Sequence, residues 1–140
     1  MHLRRSFRIV VPIVTAFASV GCASELGSKC GPGQDASISE LLYFGRATPN
    51  GPTVTAEEWT EFLAASVTPR FPRGITVWQA AGQWKGTDGS VIREPSFVLN
   101  LVHPDSQSSE DAIRAVVADY KARFNQEAVL RVKSYACASF

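Results

Sequence analysis

Two short stretches hold most of the side chains that could take part in chemistry. Thr68-Pro69-Arg70-Phe71-Pro72-Arg73-Gly74 and Ile92-Arg93-Glu94-Pro95-Ser96 each join arginine to rigid prolines. Arg46, Arg70 and Arg93 are suited to converge on an anion, because a planar guanidinium offers paired donors to carboxylate or phosphate. The competing reading makes them loop-fixing hydrogen bonds and salt bridges, with Arg93–Glu94 an exposed ion pair worth little. Past the leader the single histidine is His103, in a turn before Pro104 with Asp105 nearby. That pair is a weak signal for acid–base work. Glu94 and Glu127 would be paired acids only if the fold brought them together.

Recognisable templates are missing. The chain contains no G-x-S-x-G, no phosphate-binding loop and no G-x-G-x-x-G. No histidines or cysteines stand at zinc-binding spacing, so neither a metal nor a cofactor is expected. Aromatic residues do not interleave with a basic groove, which argues against single-stranded nucleic acid.

The elements that must position these residues are legible from periodicity. Leu41 to Arg46 reads as a buried strand closed by the turn Thr48-Pro49-Asn50-Gly51-Pro52. Thr55-Ala56-Glu57-Glu58 is a capping box, with Val54 and Trp59 placed as a hydrophobic staple. Trp59, Phe62, Leu63, Ser66 and Val67 share one helical face, and Pro69 ends the helix near Val67. Gly74 to Trp84 and Phe97 to Val102 are strands, joined through Asp88-Gly89, a strong hairpin signal. Pro95 cannot donate to a ladder, so the second strand is expected to start after it or to lie at an edge or bulge. Ile113, Val116, Val117, Tyr120 and Phe124 mark a helix from about Ser108, with Asn125 a fitting left-handed stop. Ala128 to Lys133 alternates as a last strand.

The order β-α-β-β-α-β implies an α+β, ferredoxin-like domain: a four-stranded antiparallel sheet with two helices on one face. Alternation assigns Leu42, Phe44, Phe97, Leu99, Leu101, Leu130 and Val132 to the helix side. It assigns Tyr43, Val98, Asn100, Val102, Arg131 and Lys133 to an open side, which is a natural seat for a ligand or a second copy. Trp78 and Trp84 share a side that alternation alone does not fix.

The address comes from the first residues. Arg4, Arg5 and Arg8 precede the uncharged run Ile9 to Val20, too short for a comfortable membrane span and suited to a signal peptide. Removing residues 1–21 takes three of the 14 basic residues and none of the 13 acidic ones. The remainder carries 11 against 13, a net −2 in place of +1, and no basic stripe for nucleic acid. Export implies an oxidising compartment, and three cysteines leave one over. Ser19-Val20-Gly21-Cys22 matches a lipobox except at Ser19, where Leu is usual. A lipid on Cys22 leaves Cys30 and Cys137 to pair, closing a loop of about 107 residues worth roughly 4–5 kcal/mol. In the expected fold the last strand lies beside the first, which brings that pair near each other. The rivals are ordinary cleavage after Ala16-Phe17-Ala18 and two free thiols. Residues 22–38 read as a tether and 39–140 as one globular domain.

Several segments together are similar to a known group. They are Glu40 to Arg46, Glu58-Trp59 with Phe62-Leu63 and Val67 to Gly74, Gly82-Gln83-Trp84, Ile92 to Ser96, Leu101 to Pro104, and Tyr120 with Arg123-Phe124 through Val132. The chain resembles an uncharacterised family of small exported bacterial proteins, a domain of unknown function, over about Ser39 to Phe140. The resemblance implies no activity. It draws attention to Arg46, Arg70, Gln83, Trp84, Arg93 and Glu94 as one site.

The expectation is therefore a non-enzymatic, lipid-anchored envelope protein that binds a ligand or an envelope partner. It would use the open face (Tyr43, Asn100, Arg131), through which it could also form a homodimer, or the arginine loops. The alternative is a small-molecule enzyme of the dimeric α+β-barrel type, using Arg, Glu and His near residues 68–73 and 92–96.

Overall fold

The computed structural model describes residues 30–48, 51–85 and 89–139. Its elements are β1 (Asp35–Gly45), α1 (Ala56–Phe62), β2 (Thr76–Lys85), β3 (Val91–His103), α2 (Gln107–Phe124) and β4 (Leu130–Ala138). The sheet runs β2-β3-β1-β4 with every neighbouring pair antiparallel. This is the ferredoxin-like α+β arrangement.

Local chemistry accounts for the helix ends. Thr55 accepts from the Glu58 amide at 3.1 Å and Glu58 accepts from the Thr55 amide at 2.8 Å. Both halves of the capping box are thus made, and Val54 and Trp59 are buried beside it. α1 then widens into one π-helical turn over Leu63–Val67, with the Thr68 amide bonded to the Leu63 carbonyl at 2.8 Å. Asn125 closes α2 in the left-handed region at φ 51°.

The strands run longer than local propensity suggests. β1 begins at Asp35, inside the stretch read as tether, because Asp35 to Tyr43 pairs with β4 from Leu130 to Ala138. β3 begins four residues before Pro95. The proline sits opposite Ala81 on β2, and on its other side its carbonyl accepts from the Arg46 amide. The donor that Pro95 lacks is replaced by Val54, whose amide serves the Arg46 carbonyl at 2.9 Å.

The core lies between the helices and one side of the sheet. Leu42, Phe44, Phe97, Leu99 and Leu101 meet Trp59, Phe62, Ile113, Val116, Tyr120 and Phe124. Trp59 stacks on Phe97 at 4.7 Å between centroids, and Phe44 meets Tyr120 at 4.6 Å. β4 does not follow the expected alternation. Arg131 pairs with Leu42 and faces the helices, whereas Leu130 and Val132 lie opposite Tyr43 and Leu41 on the open side. A shift of one residue exchanges the two faces of a strand, and here a buried carboxylate decides it. Glu40 is fully buried between Ile38 and Leu42, and Arg131 turns inward to pair with it. Leu130 and Val132 are left 61% and 44% exposed. Lys133, opposite Glu40, shares the helix side with Arg131.

Cys30 and Cys137 form a disulfide, tying the start of β1 to the end of β4. Cys22, the leader and Asp88 lie outside the described residues.

Candidate functional site

Register builds the open face in rows. Trp78, Val98, Tyr43 and Leu130 cross the sheet side by side. Ala80, Ser96 and Gly45 form the next row, and Gly82 and Glu94 the row beyond. Trp84 and Ile92 close the series. Both tryptophans therefore stand on the open face, 43% and 50% exposed. Two residues of strand separate successive rows, so the tryptophan rows are about 20 Å apart. Between them lie only small residues and Glu94.

Glycines make this clearing. A Cβ on Gly45 would meet the Glu94 carboxylate oxygens at 3.0 and 3.1 Å, so the carboxylate rests over bare backbone. At Gly82, directly opposite Glu94, a Cβ would meet nothing nearer than a backbone oxygen at 4.0 Å. Glu94 is half-buried and makes no hydrogen bond or ion pair with any described residue. By alternation, the charged residues on this face are Glu94 and Asp35, at opposite ends; no lysine or arginine of the four strands falls on it.

The structure divides the expected site. Ala81, Gly82, Gln83, Arg93, Glu94 and Pro95 line one groove of about 550 Å³ at this end of the β2–β3 hairpin. Arg93 Nε lies 3.5 Å from Gln83 Oε1 on the hairpin's other surface. Arg46 and Arg70 do not join them as anion binders. Arg46 donates to the Val54 carbonyl at 2.7 Å and lies 4.6 Å from the Phe97 ring centroid. Arg70 pairs with Asp119 at 3.2 Å and donates to Ser66. The three guanidiniums are each committed to a local partner, which is why they do not converge.

His103 is also separate. It lies nine residues along β3 from Glu94, roughly 30 Å in an extended strand. There it meets the 68–73 loop, with the Phe71 ring 5.9 Å away, beside a cleft of about 200 Å³ that Arg70, Arg73 and Ser108 also line. Its Nδ1 faces the Pro104 carbonyl at 2.9 Å, and its buried Nε2 lies 3.9 Å from Glu40 with no hydrogen bond among the described residues. Nε2 is closed off from the cleft.

The densest charge network is buried structure that the sequence reading missed. Arg131 grips Glu40 through Nε at 2.9 Å and a second, shorter contact. It also grips Glu110 at 2.6 and 2.7 Å, and Arg114 adds a bond at 3.1 Å. These arginine hydrogen bonds, Arg131 first, hold the Glu110 carboxyl at about 2, below its ordinary 4.5. Hydrogen bonds to Glu110 and Glu40 raise Arg131 in turn. A signal was present: Glu40 falls in phase with Ile38, Leu42 and Phe44, and a carboxylate on a core face needs a cationic partner on a neighbouring strand. Tyr120, raised by burial, donates to the Gly45 carbonyl at 2.9 Å and fixes the strand under the clearing. Among the described residues no group of three His, Cys, Asp or Glu could hold a metal.

The family described as "Protein of unknown function (DUF3574)" matches residues 39–140. The chain belongs to this family. No curated protein matches it. Among solved structures it is similar to a phage SAM lyase in complex with S-methyl-5′-thioadenosine. The TM-score is 0.57 and the identity 16%, covering 82% of this chain and 96% of that one. A phage SAM lyase in the apo state gives a TM-score of 0.52 at 18% identity, with the same coverage. At such identity the likeness is one of fold. It nevertheless corrects the expectation of a non-enzymatic binding module, since the domain so matched along nearly its whole length is an enzyme. The alternative, a small-molecule enzyme, is the better supported of the two.

Proposed function

We propose that this DUF3574 protein is a small-molecule enzyme whose substrate lies in the open-face clearing, with Glu94 as the carboxylate that contacts it. One observation carries the reading: Glu94 is half-buried on an apolar face without a partner. A carboxylate withdrawn from water costs stability unless something pairs with it. Gly45, Gly82 and Ala80 leave room above it for a bound molecule. The fold shared with the phage SAM lyase supports an enzymatic role and supplies a first substrate to try.

Two copies meeting through the rest of the face, around Leu130, Val132 and Val102, belong to the same proposal. Four strands of 11, 10, 13 and 9 residues present roughly 700 Å², against about 800 Å² per partner in a standard interface. The Cys30–Cys137 disulfide supports a location outside the reducing cytosol, in keeping with a cleaved leader and a lipid on Cys22. The test is incubation of the purified protein with SAM and chromatography of the products. S-methyl-5′-thioadenosine should accumulate with the parent chain and not with Glu94→Gln. SAM left intact by the parent would contradict the reading.

A further inference from the structure

The make-up of the clearing also specifies charge. We infer that it selects an organic cation carrying a flat apolar group, an inference that takes its location from the proposed active site. Glu94 supplies a negative charge that no described residue takes up in an ion pair or hydrogen bond. By alternation the open face of the four strands adds no lysine or arginine, and Arg93, which lines the groove's edge, lies on the hairpin's other surface against Gln83. Trp84 is the second determinant. It lies diagonally across from Glu94 on the same face, where side chains about 7 Å apart stay within mutual reach. Its ring is half exposed. An indole face attracts cations through its quadrupole, and the carboxylate attracts them through its charge. A cation between the two would be held from both sides, while its apolar part would lie on Gly82 and Ala80. The sulfonium centre of SAM belongs to this class, as do quaternary ammonium compounds.

The test uses the full-length protein and three probes of similar shape: benzyltrimethylammonium, benzyl alcohol and benzoate. Binding is read by calorimetry. The cation should bind saturably and at least tenfold more tightly than benzoate. Glu94→Gln and Trp84→Ala should each weaken it about tenfold. Gly82→Val places a strand-favouring side chain over the notch without backbone strain, and should abolish binding with the melting temperature unchanged. Equal binding of cation and benzoate, no saturable binding of the cation, or affinity for it unchanged in Glu94→Gln would overturn the inference. The two readings fail separately. Cation binding without SAM conversion removes the reaction, and SAM conversion without cation preference removes only the selectivity.

Discussion

Glu94 and Glu40 are both carboxylates on strands of one sheet, and their surroundings are opposite. Glu40 is fully buried and held by Arg131, which also holds Glu110. Such a network is fragile to the loss of one member, because the remaining charge stays buried. Arg131→Met is expected to destabilise the fold by about 3–5 kcal/mol in urea unfolding, and Glu40→Leu in the same chain should restore most of it. Glu110 adds a pH dependence. Its folded value is lowered from 4.5 to about 2, so its contribution is complete above about 4.5 and is lost as pH falls through about 2. Melting temperature should fall over that window in the parent and fall less in Glu110→Gln.

At the scale of the elements, the clearing depends on where β1 stops beside β3. Gly45 is the last residue of β1, and its missing side chain leaves room for the Glu94 carboxylate. Gly45→Ala should fold, since neither a positive φ nor backbone crowding opposes it. It should also push the carboxylate aside and lower activity about tenfold or more in the product assay. Helix ends, the strand order and the disulfide partners were legible beforehand, because the capping box, Asn125 and cysteine arithmetic are local or countable signals. The orientation of β4 was not. Its alternation fits either face, and the choice rests on Arg131 meeting Glu40, a contact between residues 91 positions apart. The candidate site was legible in part. Gln83, Arg93 and Glu94 line one groove, and of the two readings open for the arginines, convergence on an anion or local loop-fixing bonds, the fold makes the second. Arg46 and Arg70 spend their charge on a carbonyl, a ring and Asp119, contacts that only the folded chain defines.

Over the whole molecule, one sheet face builds the core and the other stays open. The open side keeps Trp78, Trp84, Ile92, Val102, Leu130 and Val132 at least one-third exposed, a large apolar surface for a small domain. If copies associate through it, sedimentation should show a dimer, and Leu130→Lys with Val132→Lys should give monomers. The disulfide closes the ends of the sheet across 107 residues. Reduction should lower unfolding stability by about 4 kcal/mol in the loop-entropy account. The central claim concerns Glu94, and its most direct test is the rate of SAM conversion by Glu94→Gln beside the parent chain. A carboxylate that works on the substrate predicts a loss of about 10²–10⁴-fold with an unchanged melting temperature. A rate within twofold of the parent would contradict it.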